Sequence, residues 1–170
     1  PRFQLFPCGE RFREPRRLAF PLFVKSSTDD ASLGIAQASM VEDMARLRER
    51  IEFIHEQFSS DALVEEYIDG RELYVGVLGN ERLTALPAWE LDFGTLSQVQ
   101  SGIATRKVKW DPAYQARHGI STGPARDLNP AQQEVLCKLA KRIYRALHMS
   151  GYARMDLRMR TDGSLFVLEA

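Results

Sequence analysis

The stretch that decides the fold is residues 151–170, which read GYARMDLRMRTDGSLFVLEA. Polar and apolar residues alternate up to the segment TDGS, and an apolar run follows it. Asp-Gly between two such segments is a strong signal for a β-hairpin with a two-residue loop. A loop formed by Asp162 and Gly163 places Asp156 directly opposite Glu169. The stretch therefore predicts an antiparallel hairpin with two facing carboxylates.

The same register sorts the side chains of the hairpin onto two faces, because successive residues of a strand point to opposite sides. The apolar face would be buried and would pair Met155, Leu157 and Met159 with Ala170, Leu168 and Phe166. The other face would carry the charged residues Arg154, Asp156, Arg158 and Glu169.

Two facing carboxylates repel each other unless a cation lies between them. Mg²⁺ commonly binds one or two carboxylates together with the phosphates of a substrate, so a magnesium site is one interpretation of the hairpin. A network of arginines and carboxylates on a solvated face is the other, since structural ion-pair networks are common. The hairpin alone leaves both interpretations open.

The composition excludes several classes of protein. The 170 residues suggest one domain or two small subdomains, and 44% of them are hydrophobic, as in an ordinary globular protein. Lys plus Arg and Asp plus Glu both number 23, so no excess of positive charge points to nucleic acid. Cys8 and Cys137 form no metal motif, and no signal peptide or membrane-spanning run occurs, which predicts a cytoplasmic protein. Because the sequence starts without Met and stops inside a strand pattern, we expect a fragment of a longer protein.

The first half of the chain reads as a strand, a polar loop and a helix. Residues 18–25 predict a strand ending at Lys25, and the small residues that follow predict a loop that could hold phosphates. The GxxxxGK[ST] spacing of a P-loop is absent, so an ordinary surface loop is the alternative. A capping box at Ser39 to Glu42 predicts the start of a helix that continues to Phe58.

Residues 62–68, 72–78 and 82–86 predict an antiparallel meander. Its acidic residues, Glu65, Glu66 and Glu72, are either exposed strand positions or part of an adenine-binding edge. In the second interpretation, backbone groups near Tyr67 and Ile68 bind the base, and Glu72 accepts hydrogen bonds from ribose hydroxyls. Further along, residues 105–110 predict a short basic strand, and Asn129-Pro130 with Gln132 predicts a capped helix.

Four blocks occur in the order seen in the ATP-grasp ligases, and the sequence most resembles the D-alanine–D-alanine ligase group. The blocks are PLFVKSSTDDASLGI, LVEEYIDGRELYVGVLGN, RKVKW and GYARMDLRMRTDGSLFVLEA. The resemblance implies an α+β fold of two subdomains, each an antiparallel sheet with helices, with ATP and Mg²⁺ (or Mn²⁺) between them. It also implies ATP-dependent joining of a carboxylate and an amine through an acyl phosphate.

The resemblance assigns roles to individual residues. Lys25 matches the phosphate-binding lysine, and Ser32 and Gly34 match the loop that closes over the phosphates. Residues 65–68 match the adenine-binding segment, Glu72 the ribose-binding glutamate and Lys109 a basic residue near the entrance of the active site. Arg154 matches the arginine that stabilises the reacting phosphoryl group. Asp156 and Glu169 match two magnesium ligands, and a third ligand is expected at position 171, beyond Ala170.

Some positions depart from the family pattern. Ala31 stands where the family often has serine, and Trp110 where it often has tyrosine, so the amino acid substrate stays open.

We expect a central subdomain over about 18–86 and a catalytic subdomain over about 87–170. We expect small-molecule partners, amino acids above all, without nucleic acid or membrane, and allow for a homodimer. The alternatives are an ATP-grasp ligase for another amino acid or peptide, and an inactive nucleotide-binding domain.

Overall fold

The computed structural model describes residues 1–28, 34–98 and 102–170, and the chain forms two compact units. The first comprises Pro1–Tyr67 and Leu96–Arg117, and the second comprises Ile68–Thr95 and His118–Ala170. Each unit consists of two separate stretches of the chain, whereas the sequence predicts a single boundary between residues 86 and 87. No helix in these described ranges is both long and apolar enough to cross a membrane.

The first unit contains a four-stranded antiparallel sheet. Its strands are β1 (Phe3–Phe6), β2 (Leu22–Ser26), β3 (Met40–Val41) and β4 (Ala62–Glu66), in the order β1-β4-β2-β3. In β2, Leu22 and Val24 are fully buried whereas Lys25 is only partly buried, because alternate side chains point to opposite faces. This alternation keeps Lys25 away from the apolar core.

The helix that covers this sheet is α1 (Met44–Phe58), and it begins later than the sequence predicts. The Asp43 side chain accepts a hydrogen bond from the free backbone N–H of Arg46 at 2.8 Å and so caps the helix. The prediction that the helix starts at the capping box of Ser39 is wrong, because Met40–Val41 pairs with β2 and holds the chain extended. The helix buries Leu47, Ile51 and Ile54 against the sheet.

The second unit contains a six-stranded antiparallel sheet and one long helix. Its strands are β5 (Arg71–Leu78), β6 (Thr84–Ala85), β7 (Trp89–Asp92), β8 (Ser121–Pro124), β9 (Tyr152–Met159) and β10 (Leu165–Glu169). The order is β10-β9-β5-β7-β8, and β6 pairs with β5. Only the second half of the predicted meander is confirmed, because β5 pairs with β6, and the strand predicted over 82–86 is limited to Thr84–Ala85. The first half is wrong, because β4 pairs with β1 and β2 in the sheet of the first unit and not with β5.

The long helix of the second unit starts where the sequence predicts. This helix, α4 (Pro130–Ala146), follows α1 and two short helices in the chain. Asn129 and Gln132 form the reciprocal capping box, with both hydrogen bonds at 2.9 Å. The helix packs Leu136, Ala140 and Tyr144 onto one face of the sheet, against Met155, Leu157 and Met159 of β9. The opposite face of β9 is therefore left for its polar residues.

The short helices are α2 (Arg106–Trp110) and α3 (Pro112–His118), and α2 corrects the strand predicted over 105–110. The Thr105 side chain accepts the backbone N–H of Val108 at 3.4 Å, and Val108 is the buried residue of α2. A capping threonine with one inward apolar residue suits a single helical turn. Two 3₁₀ helices, Gln37–Ser39 and Gly94–Gln98, complete the helical segments of the described chain.

The hairpin of β9 and β10 has the predicted pairing at its open end but not at its turn. The Arg160 N–H donates to Ser164 at 3.0 Å, so the loop has three residues, Thr161 to Gly163, and the two-residue turn is wrong. Gly163, with φ of 83°, supplies the left-handed residue that such a loop requires. Near the turn Leu157 consequently pairs with Val167 instead of Leu168, and Met159 pairs with Leu165 instead of Phe166, which lies opposite Arg158.

A second irregularity, between Val167 and Glu169, shifts the register back by one residue. Asp156 therefore pairs with Glu169, as the sequence predicts. On β9 the predicted faces are also confirmed, since Met155, Leu157 and Met159 belong to the core.

Candidate functional site

The polar residues of the candidate site in the second unit lie on the sheet face opposite to α4. On β5, Glu72 and Tyr74 alternate with the core residues Leu73 and Val75. On β9, Arg154, Asp156 and Arg158 alternate with core residues in the same way. The strands pair Glu72 with Arg158 and Tyr74 with Asp156. Because cross-strand partners point to the same side, the alternation collects these side chains on one surface.

Arg154 and Asp156 form a two-pronged ion pair. Arg154 donates from Nε to Oδ1 of Asp156 at 2.7 Å and from a terminal nitrogen to Oδ2 at 2.9 Å. The Asp156 side chain is only 6% exposed, whereas that of Arg154 is 60% exposed. The hydrogen bonds to Asp156 raise the pKa of Arg154, and the negative charge of Glu169 raises it further. The guanidinium therefore offsets the repulsion between the two facing carboxylates.

The carboxylates of the hairpin are suitable ligands for Mg²⁺. The facing residues Asp156 and Glu169 supply two carboxylates, the number that Mg²⁺ commonly takes when substrate phosphates provide other ligands. Over the described ranges, no group of three or more His, Cys, Asp or Glu side chains could hold a metal ion. The Arg154–Asp156 contact is also what the solvated ion-pair interpretation predicts, so the hairpin geometry is compatible with both interpretations.

Glu72 is the most enclosed carboxylate of this face. Arg158 donates to Oε2 of Glu72 at 2.8 Å, and the two side chains are 5% and 4% exposed. The Tyr74 hydroxyl donates to the other oxygen, Oε1, also at 2.8 Å. A buried carboxylate is costly unless it is paired and hydrogen-bonded, and here both oxygens have a protein donor.

Tyr74 lies between the glutamate and the hairpin ion pair. Its hydroxyl binds Glu72, and its ring lies beneath the Arg154 guanidinium, 4.7 Å from the ring centroid. Burial raises the pKa of Tyr74, and the adjacent charge of Glu72 raises it further. Contacts therefore run without a break from Arg158 through Glu72, Tyr74 and Arg154 to Asp156.

In the first unit, the structure joins two of the predicted nucleotide-binding residues. Nζ of Lys25 lies 2.9 Å from Oε2 of Glu65, and the side chains are 23% and 12% exposed. The next backbone N–H groups are used within this unit: Glu66 donates to Arg2 and Tyr67 to Pro21, both at 3.0 Å. The residues of the predicted adenine-binding edge are divided between the units: those up to Tyr67 belong to the first unit, and Ile68 belongs to the second.

The two ends of the predicted phosphate loop are tied to α1 and to the turn that follows it. At the start, Ser26 donates its hydroxyl hydrogen to the Ser60 hydroxyl at 2.8 Å. At the far end, the Gly34 carbonyl accepts a hydrogen bond from Arg50, and a side chain at Gly34 would meet the Phe58 ring at 2.7 Å. The predicted catalytic residue Ser32 lies outside the described residues, as does Ala31.

Lys109 occupies the last turn of α2 in the first unit. Its side chain is partly exposed, its N–H donates to Thr105 at 3.0 Å, and its carbonyl accepts from Gln115 at 3.1 Å. The neighbouring Trp110 is 66% exposed. The helix thus presents both side chains at its surface.

Sequence reasoning assigned no role to Tyr74, Arg158 or Arg50. The period of two along each strand was sufficient to place Tyr74 beside Glu72 and Arg158 beside Asp156 on the polar face. No local pattern points to Arg50, which lies on a helix and reaches Gly34 and Ser39 only through the tertiary fold.

Comparison with known proteins gives the arrangement a context. A family model described as "D-ala D-ala ligase C-terminus" matches residues 10–170. A protein of Pelotomaculum thermopropionicum named D-alanine–D-alanine ligase is 33% identical over 162 residues, which are 95% of this chain and 46% of that protein. The chain spans about half the length of the curated relatives it matches.

Solved structures show the same fold. The D-alanine–D-alanine ligase of Bacillus anthracis has a TM-score of 0.75 at 23% identity, covering 99% of this chain and 50% of that one. The VanG D-Ala:D-Ser ligase of Enterococcus faecalis has a TM-score of 0.68 at 27% identity, covering 90% and 40%. The fold is thus the α+β, ATP-grasp fold of these ligases, as the sequence predicts.

Proposed function

The chain belongs to the family of the D-Ala–D-Ala ligase C-terminus, and from that premise we propose that the protein is an ATP-dependent carboxylate–amine ligase. In the proposed reaction, phosphoryl transfer from ATP to a carboxylate gives an acyl phosphate. An amine then attacks the acyl carbon, the amide bond forms and phosphate leaves. The substrates proposed are small amino acids, and we place the reaction in the cytoplasm, where ATP is available and free thiols such as Cys8 and Cys137 persist.

The observation that carries the proposal is the cluster of Arg154, Asp156 and Glu169 on the hairpin. Phosphoryl transfer depends mainly on positioning and on the neutralisation of charge. Arg154 is a two-pronged donor on an exposed side chain, so it can exchange the Asp156 carboxylate for a phosphoryl oxygen. We propose this exchange as the catalytic role of Arg154.

Asp156 and Glu169 would hold Mg²⁺, or Mn²⁺ in its place, together with phosphate oxygens. The bound metal would neutralise negative charge on the phosphates and orient them. The protein supplies a rigid support for this site, because Asp156 lies on a strand hydrogen-bonded on both sides. Glu169 lies on the neighbouring strand and can adjust from a more exposed position.

The nucleotide contacts are proposed from the family pattern and from local geometry. Lys25 would exchange its ion pair with Glu65 for a phosphate, because the Lys25 side chain stays partly exposed in that pair. The backbone groups from Glu65 to Ile68 would bind the adenine, and Glu72 would accept from the ribose hydroxyls. Gly34 would end the phosphate loop, and the role of Ser32 in that loop stays a prediction.

A second candidate is a ligase of the same chemistry for a different amino acid or peptide. Trp110 favours it, because a large exposed indole stands where the family often has tyrosine, next to Lys109. The similarity to a D-Ala:D-Ser ligase shows that substrates other than D-alanine occur among relatives. We propose that Lys109 lies near the amino acid substrate and that Trp110 contributes to its selection.

Phosphate release from ATP tests the proposal, using the protein together with any sequence that flanks this chain. We expect release only when a carboxylate and an amine substrate are both present, in a screen of D-alanine, D-serine, D-lactate and other small amino acids. Arg154→Met should abolish release, whereas Arg145→Met, on the surface of α4, should leave it unchanged. Nucleotide binding without release across the whole screen would instead indicate an inactive nucleotide-binding domain.

A further inference from the structure

Arg158 contacts two groups that the proposed function uses for different parts of one nucleotide. Its guanidinium donates to the Glu72 carboxylate at 2.8 Å and to the backbone carbonyls of Ile68 at 3.2 Å and Gly70 at 3.4 Å. All of these residues belong to the second unit. One side chain therefore connects the proposed ribose-binding carboxylate to the last residue of the proposed adenine-binding edge.

We propose that Arg158 and Tyr74 are positioning residues that hold Glu72 in place for the two hydroxyls of a ribose. This inference rests on the proposed function, because it takes Glu72 as the ribose-binding group. It adds two residues that would set the selectivity of the site for ribonucleotides.

The hydrogen-bonding capacity of Glu72 supports the proposal. An ionised carboxylate offers about four lone-pair positions, two on each oxygen. Among the described residues, Tyr74 uses one position on Oε1 and Arg158 one on Oε2, which leaves one position on each oxygen for an added donor. The two hydroxyls of a ribose supply two donors. A carboxylate held at both oxygens also loses little rotational freedom when such a ligand binds.

The backbone contact adds a second constraint. Ile68 is 3% exposed, and its carbonyl accepts from the same guanidinium that binds Glu72. Because the guanidinium is planar and rigid, its nitrogens fix the carbonyl and the carboxylate at a set separation. The distance between the proposed base and ribose contacts is thereby maintained by one side chain instead of by a flexible loop.

The competing interpretation is that Arg158 only neutralises a buried charge. A buried ion pair is weak support for stability, but removing one partner is strongly destabilising. Loss of melting temperature in an Arg158 variant would therefore agree with both interpretations. Selectivity for the ribose hydroxyls separates them, because a purely structural pair does not contribute to it.

Calorimetry with ADP and 2′,3′-dideoxy-ADP in the presence of Mg²⁺ tests the proposal. The quantity of interest is the ratio of the two affinities, which isolates the contribution of the hydroxyls. We expect the native protein to prefer ADP, and Arg158→Lys to bring the ratio close to one. The lysine variant retains a positive charge beside Glu72 but cannot make the planar set of contacts. It should also be the Arg158 variant that folds most readily.

Tyr74→Phe provides a second variant that leaves the buried charge pair intact. It removes one hydrogen bond to Glu72 and should lower the ratio by roughly two- to tenfold, the range of a single hydrogen bond. The matched control is Arg71→Lys, because Arg71 forms an ion pair with Glu90 at 2.6 Å and, as the strand neighbour of Glu72, points to the opposite face of the sheet. The control should retain the native ratio.

The outcomes distinguish this inference from the function on which it rests. If the native protein binds neither nucleotide, the proposed function fails. If it binds both equally, Glu72 is not the ribose-binding group and the inference fails alone. A native ratio in both folded variants would also overturn the inference and would assign Arg158 and Tyr74 to stability.

Discussion

Asp156 and Glu169 face each other across the terminal hairpin because two one-residue irregularities cancel. The loop of three residues moves the register by one, and the irregularity between Val167 and Glu169 moves it back. Two parts of the hairpin that are separate in sequence thus determine whether these carboxylates meet.

The loop should depend on glycine at position 163. Gly163 has φ of 83°, and a side chain there would meet no atom within 4 Å, so its replacement reports backbone strain alone. We expect Gly163→Ala to lower the free energy of unfolding by about 1 kcal/mol in denaturant titration. Gly123→Ala is the control, because Gly123 also has open space around it but no positive φ. Equal stability of the two variants would contradict the loop geometry.

Asp156 should be required for magnesium-dependent nucleotide binding. In Asp156→Asn the side chain keeps its size but loses the charge that both Arg154 and a metal ion need. We expect the rise in melting temperature caused by MgADP to disappear, and the Mg²⁺-dependent gain in affinity to fall by about 1.5–3 kcal/mol. Asp162→Asn, at an exposed position of the same hairpin, should behave like the native protein.

The alternative interpretation gives the opposite pattern for the same variant. If Asp156 serves only as the structural partner of Arg154, Asp156→Asn should melt at a lower temperature without nucleotide. The effect of Mg²⁺ on ADP binding should then remain unchanged.

Lys25 should contribute to the affinity for ADP. Lys25→Ala removes a charged donor to phosphate, a loss of about 1.5–3 kcal/mol in binding free energy measured by calorimetry. Lys138→Ala is the control, because Lys138 also pairs with a glutamate, Glu134, at 2.6 Å, but on the exposed surface of α4. The assignment of Lys25 fails if the two variants bind ADP with the same affinity.

Tyr74 should make the fold sensitive to alkali. Its pKa is raised in the folded protein, chiefly by burial, so the hydroxyl stays protonated in the folded state at a pH where the unfolded chain ionises. The stabilising effect is complete below the ordinary tyrosine pKa of 10.0 and declines as the pH rises above it. We expect Tyr74→Phe to lose less stability than the native protein between pH 9 and pH 11, as approximate limits set by that reference value.

Tyr152→Phe serves as the control for the alkaline measurement, since Tyr152 is 82% exposed. Its melting temperature should follow that of the native protein across the same range of pH. A native-like pH profile for Tyr74→Phe would show that the Tyr74 hydroxyl is not held protonated by its surroundings.

Much of the fold followed from local patterns. The alternation in β9, the capping box at Asn129 and the pairing of β5 with β6 each depend on residues close together in sequence. The predicted strand over 105–110 was wrong because a single buried residue, Val108, is compatible with either a strand or one helical turn. The start of α1 was wrong because Met40–Val41 pairs with a distant strand, which a local capping signal does not report.

The site was predictable to a smaller extent. Asp156 and Glu169 could be paired because the hairpin is local and its two irregularities cancel. The ion pairs of Lys25 with Glu65 and of Arg158 with Glu72 join residues that are distant along the chain. Sequence spacing contains no measure of such contacts, which depend on how the strands assemble into sheets. The family pattern supplied the residue roles without indicating that Arg158 and Tyr74 surround Glu72.

The paired irregularities of the hairpin have a consequence for protein engineering. Exposed loop tips usually tolerate exchange and insertion, and the exposed Thr161–Gly163 loop looks like a neutral site for an exchange. A donor loop shorter by one residue would leave the second irregularity uncompensated and would bring the neighbour of Glu169 opposite Asp156. The loop and the end of β10 should therefore be transplanted together, as one cassette.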